Sequence, residues 1–117
     1  MSLLRSTIGL TTIAVAVLLA QSAEQKEAGL KKSLLTLRQA IDKYTVDRHK
    51  APQTLHDLVT QKYVDSIPAD PMTGSDSTWR VVIEDPAKSA DSSEPGIFDV
   101  HSGSDGVSSD GTRFADW

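Results

Sequence analysis

Apolar residues recur at intervals of four, three, four and three positions in the first half of the chain, at Leu30, Leu34, Leu37, Ile41 and Tyr44. Residues with this spacing lie on one face of an α-helix. The stripe follows an uncharged, largely apolar segment with no intervening proline. Pro52 disfavours helical backbone at Ala51. The pattern therefore predicts one long N-terminal helix that ends near Lys50.

Two arrangements would bury this stripe: packing on a sheet of the same chain, or a coiled coil with a second chain. Fewer than three heptads are present, so packing on the chain's own sheet is favoured. Leu35 and Val46 lie off the stripe, and we expect these two side chains to contact neighbouring chains.

The second half of the chain predicts a short helix and two strands. Thr54 and Asp57 have the spacing of a capping box, which would begin a helix from Leu55 to about Gln61. Alternation from Thr78 to Glu84 predicts a half-buried strand, and residues 97–101 predict a second strand that is antiparallel to it across a polar loop. The apolar members of the first strand are Trp79, Val81 and Ile83. The predicted fold class is α+β: a long N-terminal helix packed on a small antiparallel sheet, with a C-terminal loop.

The N-terminal segment allows two interpretations. Ser6–Ala23 is a run of 18 residues without a charge, and as a helix it would span about 27 Å, enough for a membrane anchor. A secretory signal would use Arg5 as its basic start and Ile8–Ala20 as its apolar core. The small residues that cleavage requires are replaced by Leu18 or Gln21, so a retained anchor is favoured. Either interpretation places the remainder of the chain outside the cytoplasm.

The predicted organisation is therefore a hydrophobic N-terminal segment, residues 1–23, and a globular head, residues 24–117, that includes the amphipathic helix 24–50. A head of this size buries only a small core. The chain contains no cysteine, which excludes disulfides, thiolate zinc sites and a cysteine nucleophile. Its net charge is −4, and its basic residues form no patch with interleaved aromatics, so nucleic acid is not an expected partner.

The three histidines do not indicate an enzyme. His49, His56 and His101 fall on three different predicted elements, and no nucleophile motif or phosphate-binding loop accompanies them. We expect His49 to interact with the end of the long helix, and His56 and His101 to lie at the surface.

The C-terminal loop, Ser102–Trp117, is rich in serine, glycine and aspartate. Asp105, Asp110 and Asp116 supply carboxylate oxygens, and calcium prefers about six to eight oxygen ligands. The spacing is not that of an EF-hand. The alternative is an ordinary hydrophilic loop in which Asp and Ser side chains hydrogen-bond to turn backbones. Calcium is therefore a candidate cofactor, with Asp105, Asp110 and Asp116 as candidate metal ligands.

Several segments, taken in order, resemble the type II secretion major pseudopilins and related type IV pilin-like proteins. They are residues 34–47, 50–59, Tyr63-Val64, Ile67-Pro68, Asp70-Pro71, and Asp99–Ser104 continuing to Trp117. The resemblance implies a pilin-like fold, a single-pass anchor in the inner membrane and a periplasmic head. It implies that copies of the chain associate with one another and with other pilin-like subunits into a filament. It also implies that this filament works with the secretion machinery and supports protein secretion across the outer membrane. It also implies a calcium-stabilised C-terminal loop, most directly at Asp105.

The N-terminal residues differ from the family pattern, because residues 1–23 contain no Gly-Phe pair and no acidic residue. Leader processing of the usual kind is therefore not expected. The alternative function is a non-polymerising periplasmic or membrane-anchored binding adaptor with a pilin-like head.

Overall fold

The fold is α+β, with one long helix and a two-stranded antiparallel sheet. The computed structural model describes residues 2–90 and 93–117, and the side chains of residues 23–90 and 93–117. Its elements are α1 (Ser2–Arg48), α2 (His56–Thr60), β1 (Arg80–Ile83), β2 (Ile97–His101) and a 3₁₀ turn (Phe114–Asp116). The chain is elongated, with extents of 74 × 31 × 19 Å. The predicted combination of a long N-terminal helix and a small antiparallel sheet is confirmed.

The predicted stripe of α1 forms one side of the core. The five stripe residues are between 0 and 6 % exposed, and they are Leu30, Leu34, Leu37, Ile41 and Tyr44. The helix ends at Arg48, two residues before the predicted end. His49 follows with a φ of 58°, a left-handed backbone that terminates helices. The contacts with the head that the described side chains of α1 make begin at Glu27.

Within the part of the chain that the structure describes, the strand of the sheet that contacts α1 is β2. Ile97 and Val100 of β2 are buried beneath the helix, whereas β1 contacts β2 and not α1. Val81 and Ile83, predicted to be the buried face of the first strand, are therefore 41 % and 50 % exposed. A bulge between Val82 and Ile83 shifts the register beside them.

The short helix α2 begins with the predicted capping box. The Asp57 amide donates to Thr54 Oγ1 at 3.2 Å, and the Thr54 amide donates to Asp57 Oδ2 at 3.2 Å. Leu58 is the fully buried residue of this helix, whereas Leu55 and Val59 are only partly buried. The single turn therefore inserts one side chain into the core.

Among the described residues, no helix combines the length and the apolar character needed to cross a membrane. The side chains of residues 1–22, on which the predicted anchor 1–23 depends, lie outside the described part of the chain.

Replacing Leu37, which is 0 % exposed, tests the importance of the stripe. We expect Leu37→Ala to lower the free energy of unfolding by about 2–5 kcal/mol, because it removes buried methyl groups and leaves a cavity. Leu35→Ala is the matched control on the exposed side, where we expect a change of about 0.5 kcal/mol or less. Urea denaturation followed by circular dichroism measures both values. Equal losses for the two variants would contradict the assignment of the buried side.

Candidate functional site: the junction of the long helix and the C-terminal loop

A fully buried carboxylate joins the turn after Pro71 to the start of the C-terminal loop. Asp70 is 0 % exposed. Its Oδ2 accepts hydrogen bonds from Ser102 Oγ at 2.6 Å and from the Gly103 amide at 2.9 Å. Its Oδ1 accepts from the Met72 amide at 2.8 Å. Three donors replace the water that the carboxylate loses on burial, so Asp70 holds two segments that are about thirty residues apart in sequence.

The close approach at Gly103 leaves no room for a side chain. A Cβ at this position would lie 2.1 Å from the carbonyl oxygen of Thr78, far inside van der Waals contact. Only glycine therefore lets the C-terminal loop start beside the segment that leads into β1.

Arg38 connects α1 to β2 and to the last residue. Its Nε donates to Asp99 Oδ1 at 2.8 Å, and its Nη2 donates to Val100 O at 2.9 Å and to Trp117 O at 2.5 Å. The side chains of Arg38 and Asp99 are 34 % and 31 % exposed. His101 also contacts Trp117 O through Nδ1 at 2.9 Å, and its Nε2 lies 3.5 Å from Asp99 Oδ2.

These contacts differ from what the local sequence indicates. Arg38 and Asp42 have the spacing of an ion pair along α1, but the ion pairs of the described residues place Arg38 on Asp99 instead. His101, expected at the surface, is half-buried between β2 and the last residue. In both cases the fold brings the side chain to a partner that is distant in sequence.

A second connection ties the loop to an earlier turn of α1. The Ser109 amide donates to Glu27 Oε1 at 2.9 Å, and Ser109 Oγ donates to Glu27 Oε2 at 3.1 Å. Lys31 Nζ lies 4.9 Å from the centroid of the Trp117 ring, within cation–π range. The loop is therefore held along α1 from Glu27 to Arg38, a distance of about 16 Å along the helix axis.

The three predicted calcium ligands have different surroundings. Asp105 Oδ1 forms an ion pair with Arg80 Nη2 at 2.6 Å, and this hydrogen bond and charge lower the pKa of Asp105. Asp110 accepts hydrogen bonds from Ser108 Oγ and, at 2.6 Å, from Thr112 Oγ1. Asp116 lies exposed in the 3₁₀ turn.

These aspartates are not brought together as a metal site. Within the described residues, no group of three His, Cys, Asp or Glu side chains could hold a metal ion. The carboxylates as arranged do not fit one calcium coordination shell, which needs about six to eight oxygens. The loop is instead held by its own hydroxyls, by Arg80 and by α1. Calcium binding by Asp105, Asp110 and Asp116 therefore stays a prediction.

Two of the residues that organise this junction, Arg38 and Asp70, have no local sequence signal for their roles. Arg38 has an acidic neighbour on its own helix, and no local pattern points to a partner 61 residues away. Asp70 stands out only as part of the family resemblance. An Asp-Pro pair followed by Thr73-Gly74 is a recognisable turn signal, but it does not indicate that the carboxylate is buried.

No family model, curated protein or solved structure matches the chain.

Removing the Asp70 carboxylate tests the role of this residue. We expect Asp70→Ala to lower the free energy of unfolding by about 3 kcal/mol or more, because hydrogen bonds to a charged group contribute roughly 1.5–3 kcal/mol each and buried donors would lose their acceptor. Asp76→Ala is the control, since Asp76 is an exposed aspartate in the same turn region. Urea denaturation measures both; a loss below about 1 kcal/mol for Asp70→Ala would contradict this role.

The Asp110 carboxylate gives a pH-dependent signal. Hydrogen bonds from Ser108 and then from Thr112 lower its pKa from 3.8 to about 2. A lowered pKa means that these hydrogen bonds stabilise the folded loop fully above the unfolded pKa of 3.8, and that this stabilisation is lost as the pH falls through about 2. Carboxyl-carbon NMR should therefore show Asp110 titrating near pH 2, and Ser108→Ala should move its pKa toward 3.8. If Asp110 titrates near 3.8 in the unmodified chain, the hydroxyls of Ser108 and Thr112 do not donate hydrogen bonds to its carboxylate.

Proposed function

We propose that this chain is a structural subunit of a type II secretion pseudopilus or a related type IV pilus-like filament. In this role it is anchored once in the inner membrane, with the head in the periplasm, and it supports protein secretion across the outer membrane. The observation on which the proposal depends is the single helix from Ser2 to Arg48 whose described contacts with the head begin only at Glu27. In the proposed role, the first half of this helix lies in lipid and against the helices of sister copies.

The family resemblance agrees with the way the head is built. Four features of the resembling segments also make the contacts of the head: the stripe within residues 34–47, Asp70, Asp99 and Trp117. A resemblance limited to exposed loops would not have this property. The agreement supports a pilin-like head, in which the C-terminal loop lies along the long helix.

The way the small head is built favours a structural subunit over a binding adaptor. Its core is shared with α1, so the helix is an integral part of the head and not a detachable tether. Because the head is fixed to its helix, the packing of helices in a filament also fixes the orientation of each head relative to its neighbours. An adaptor would need only a flexible linker between anchor and head.

Expression in a Gram-negative strain with a type II secretion system tests the proposal. We expect the full chain to remain with the inner membrane and to appear in sheared filaments only when the assembly ATPase of the system is present. The chain has no cysteine, so Val107→Cys, at a position in the C-terminal loop that is 59 % exposed, provides a single site for labelling filaments. A monomer released with the periplasmic contents would overturn the proposal and favour the adaptor function.

A further inference from the structure

A groove lies between the last turns of α1 and the sheet. Its volume is about 380 Å³, which is within the range of small-ligand sites. Its lining includes the buried side chains Ile41 and Ala51 together with Val46 and Phe98, which are 71 % and 52 % exposed. We call the space bordered by these four residues the Phe98 groove. Its apolar surface comes from α1, from the segment that follows α1 and from β2.

The polar side chains of the Phe98 groove are all hydrogen-bond acceptors. Asp42 and Glu84 contribute carboxylates, and Thr45 contributes a hydroxyl. The Thr45 hydroxyl donates to Ile41 O at 2.8 Å, so its oxygen is left as an acceptor. No Lys, Arg or His lines the groove among the described residues. A ligand of this groove therefore has to supply the donors.

The two carboxylates are not neutralised by a cation of the described part of the chain. The ion pairs of the described residues include neither Asp42 nor Glu84. Glu84 accepts hydrogen bonds from Ser89 Oγ at 2.7 Å and from the Gly96 amide at 2.9 Å, and both bonds end at Oε1. The second oxygen of Glu84 and the carboxylate of Asp42 are therefore open to donors from another molecule.

An arginine side chain combines the properties that this lining selects. Its apolar stem packs along apolar surface while its head stays charged. Its planar guanidinium stacks on aromatic rings and donates paired hydrogen bonds to carboxylates. Phe98 provides the ring, and Asp42 and Glu84 provide the carboxylates. A lysine head is a compact, strongly hydrated charge without a planar face, so it uses less of this surface.

We propose that the Phe98 groove binds an arginine side chain of a different protein, in an exposed segment where an apolar residue beside the arginine packs on Val46. Charge complementarity specifies this occupant. The groove supplies acceptors, negative charge and apolar walls, and the segment supplies donors, positive charge and an apolar side chain.

Sister copies of this chain have few arginines to offer within the described side chains. Of four described arginines, Arg38, Arg48 and Arg80 already have partners within the head. The fourth, Arg113, is the one that remains for a contact between copies. The inference goes beyond the proposed function, because the groove belongs to a single copy and binds its ligand without filament assembly.

Methyl NMR of the full chain in uncharged detergent micelles tests the inference. The probe is a short peptide with an Arg-Leu pair between glycine and serine spacers, added to about 10 mM so that millimolar affinities are detected. We expect the methyl signals of Ile41 and Val46 to shift and those of Val107, an exposed valine outside the groove, to stay in place. A Lys-Leu peptide should bind less tightly, and a Glu-Leu peptide should give no shift. No shift with the Arg-Leu peptide, or an equal affinity for either of the other two, would overturn the inference.

Substitutions of exposed groove residues identify the contacts in the same titration. We expect Phe98→Ala to weaken binding of the Arg-Leu peptide by about five- to tenfold, because a half-exposed ring is lost from the contact. Asp42→Asn should weaken it by about two- to fivefold, the range of an exposed ion pair. Val107→Ala and Asp76→Asn, at exposed positions outside the groove, are the matched controls and should leave the affinity unchanged. An unchanged affinity in Phe98→Ala would contradict binding in the Phe98 groove.

Spectra of the unmodified chain without peptide separate a different protein from a sister copy as the occupant. We expect the Ile41 and Val46 signals not to change with the concentration of the chain. Shifts that grow with concentration and are lost in Arg113→Ala would show that a sister copy fills the groove, and would overturn the inference. A chain that binds the peptide but forms no filaments would contradict the proposed function and leave this inference standing.

Discussion

The burial of one side of α1 beneath β2 is the interaction on which the rest of the head depends. Of the twelve buried hydrophobic residues in the described part of the chain, six belong to α1. A two-stranded sheet is only marginally stable in water by itself. The head therefore cannot keep its core without the helix, and the helix cannot rotate or slide relative to the head without exposing Leu30 through Tyr44. This constraint fixes which sides of α1 remain available to other molecules.

Polar contacts hold the C-terminal loop in place, because the small core does not do so by itself. The C-terminal loop contributes Phe114 to the core, and hydrogen bonds to Asp70, Arg38 and Glu27 are among the contacts that hold it. The Asp70 contact is buried, whereas the contacts at Arg38 and Glu27 are more open to water. Because a buried carboxylate without donors is costly, Asp70 makes this arrangement of the turn and the loop specific as well as stable.

The features that the sequence predicts correctly are local ones. The stripe of α1 is a property of spacing, the capping box at Thr54 and Asp57 is a property of four residues, and β2 coincides with the predicted residues 97–101. The features that it does not predict depend on which distant segments meet. Val81 and Ile83 alternate as a half-buried strand should, but their exposure follows from α1 lying over β2 and not over β1. Arg38 has an acidic neighbour four residues along its helix, and only the folded head brings Asp99 within reach.

The same constraint determines which surface the helix presents outside the core. Leu35 and Val46 lie on a helix whose rotation is determined by the buried stripe, so the direction of these two exposed side chains relative to the head is set by the core. Phe98 and Glu84 line one groove together with Val46, and the packing of β2 on α1 brings them to it. This part of the surface therefore exists only after the core has formed.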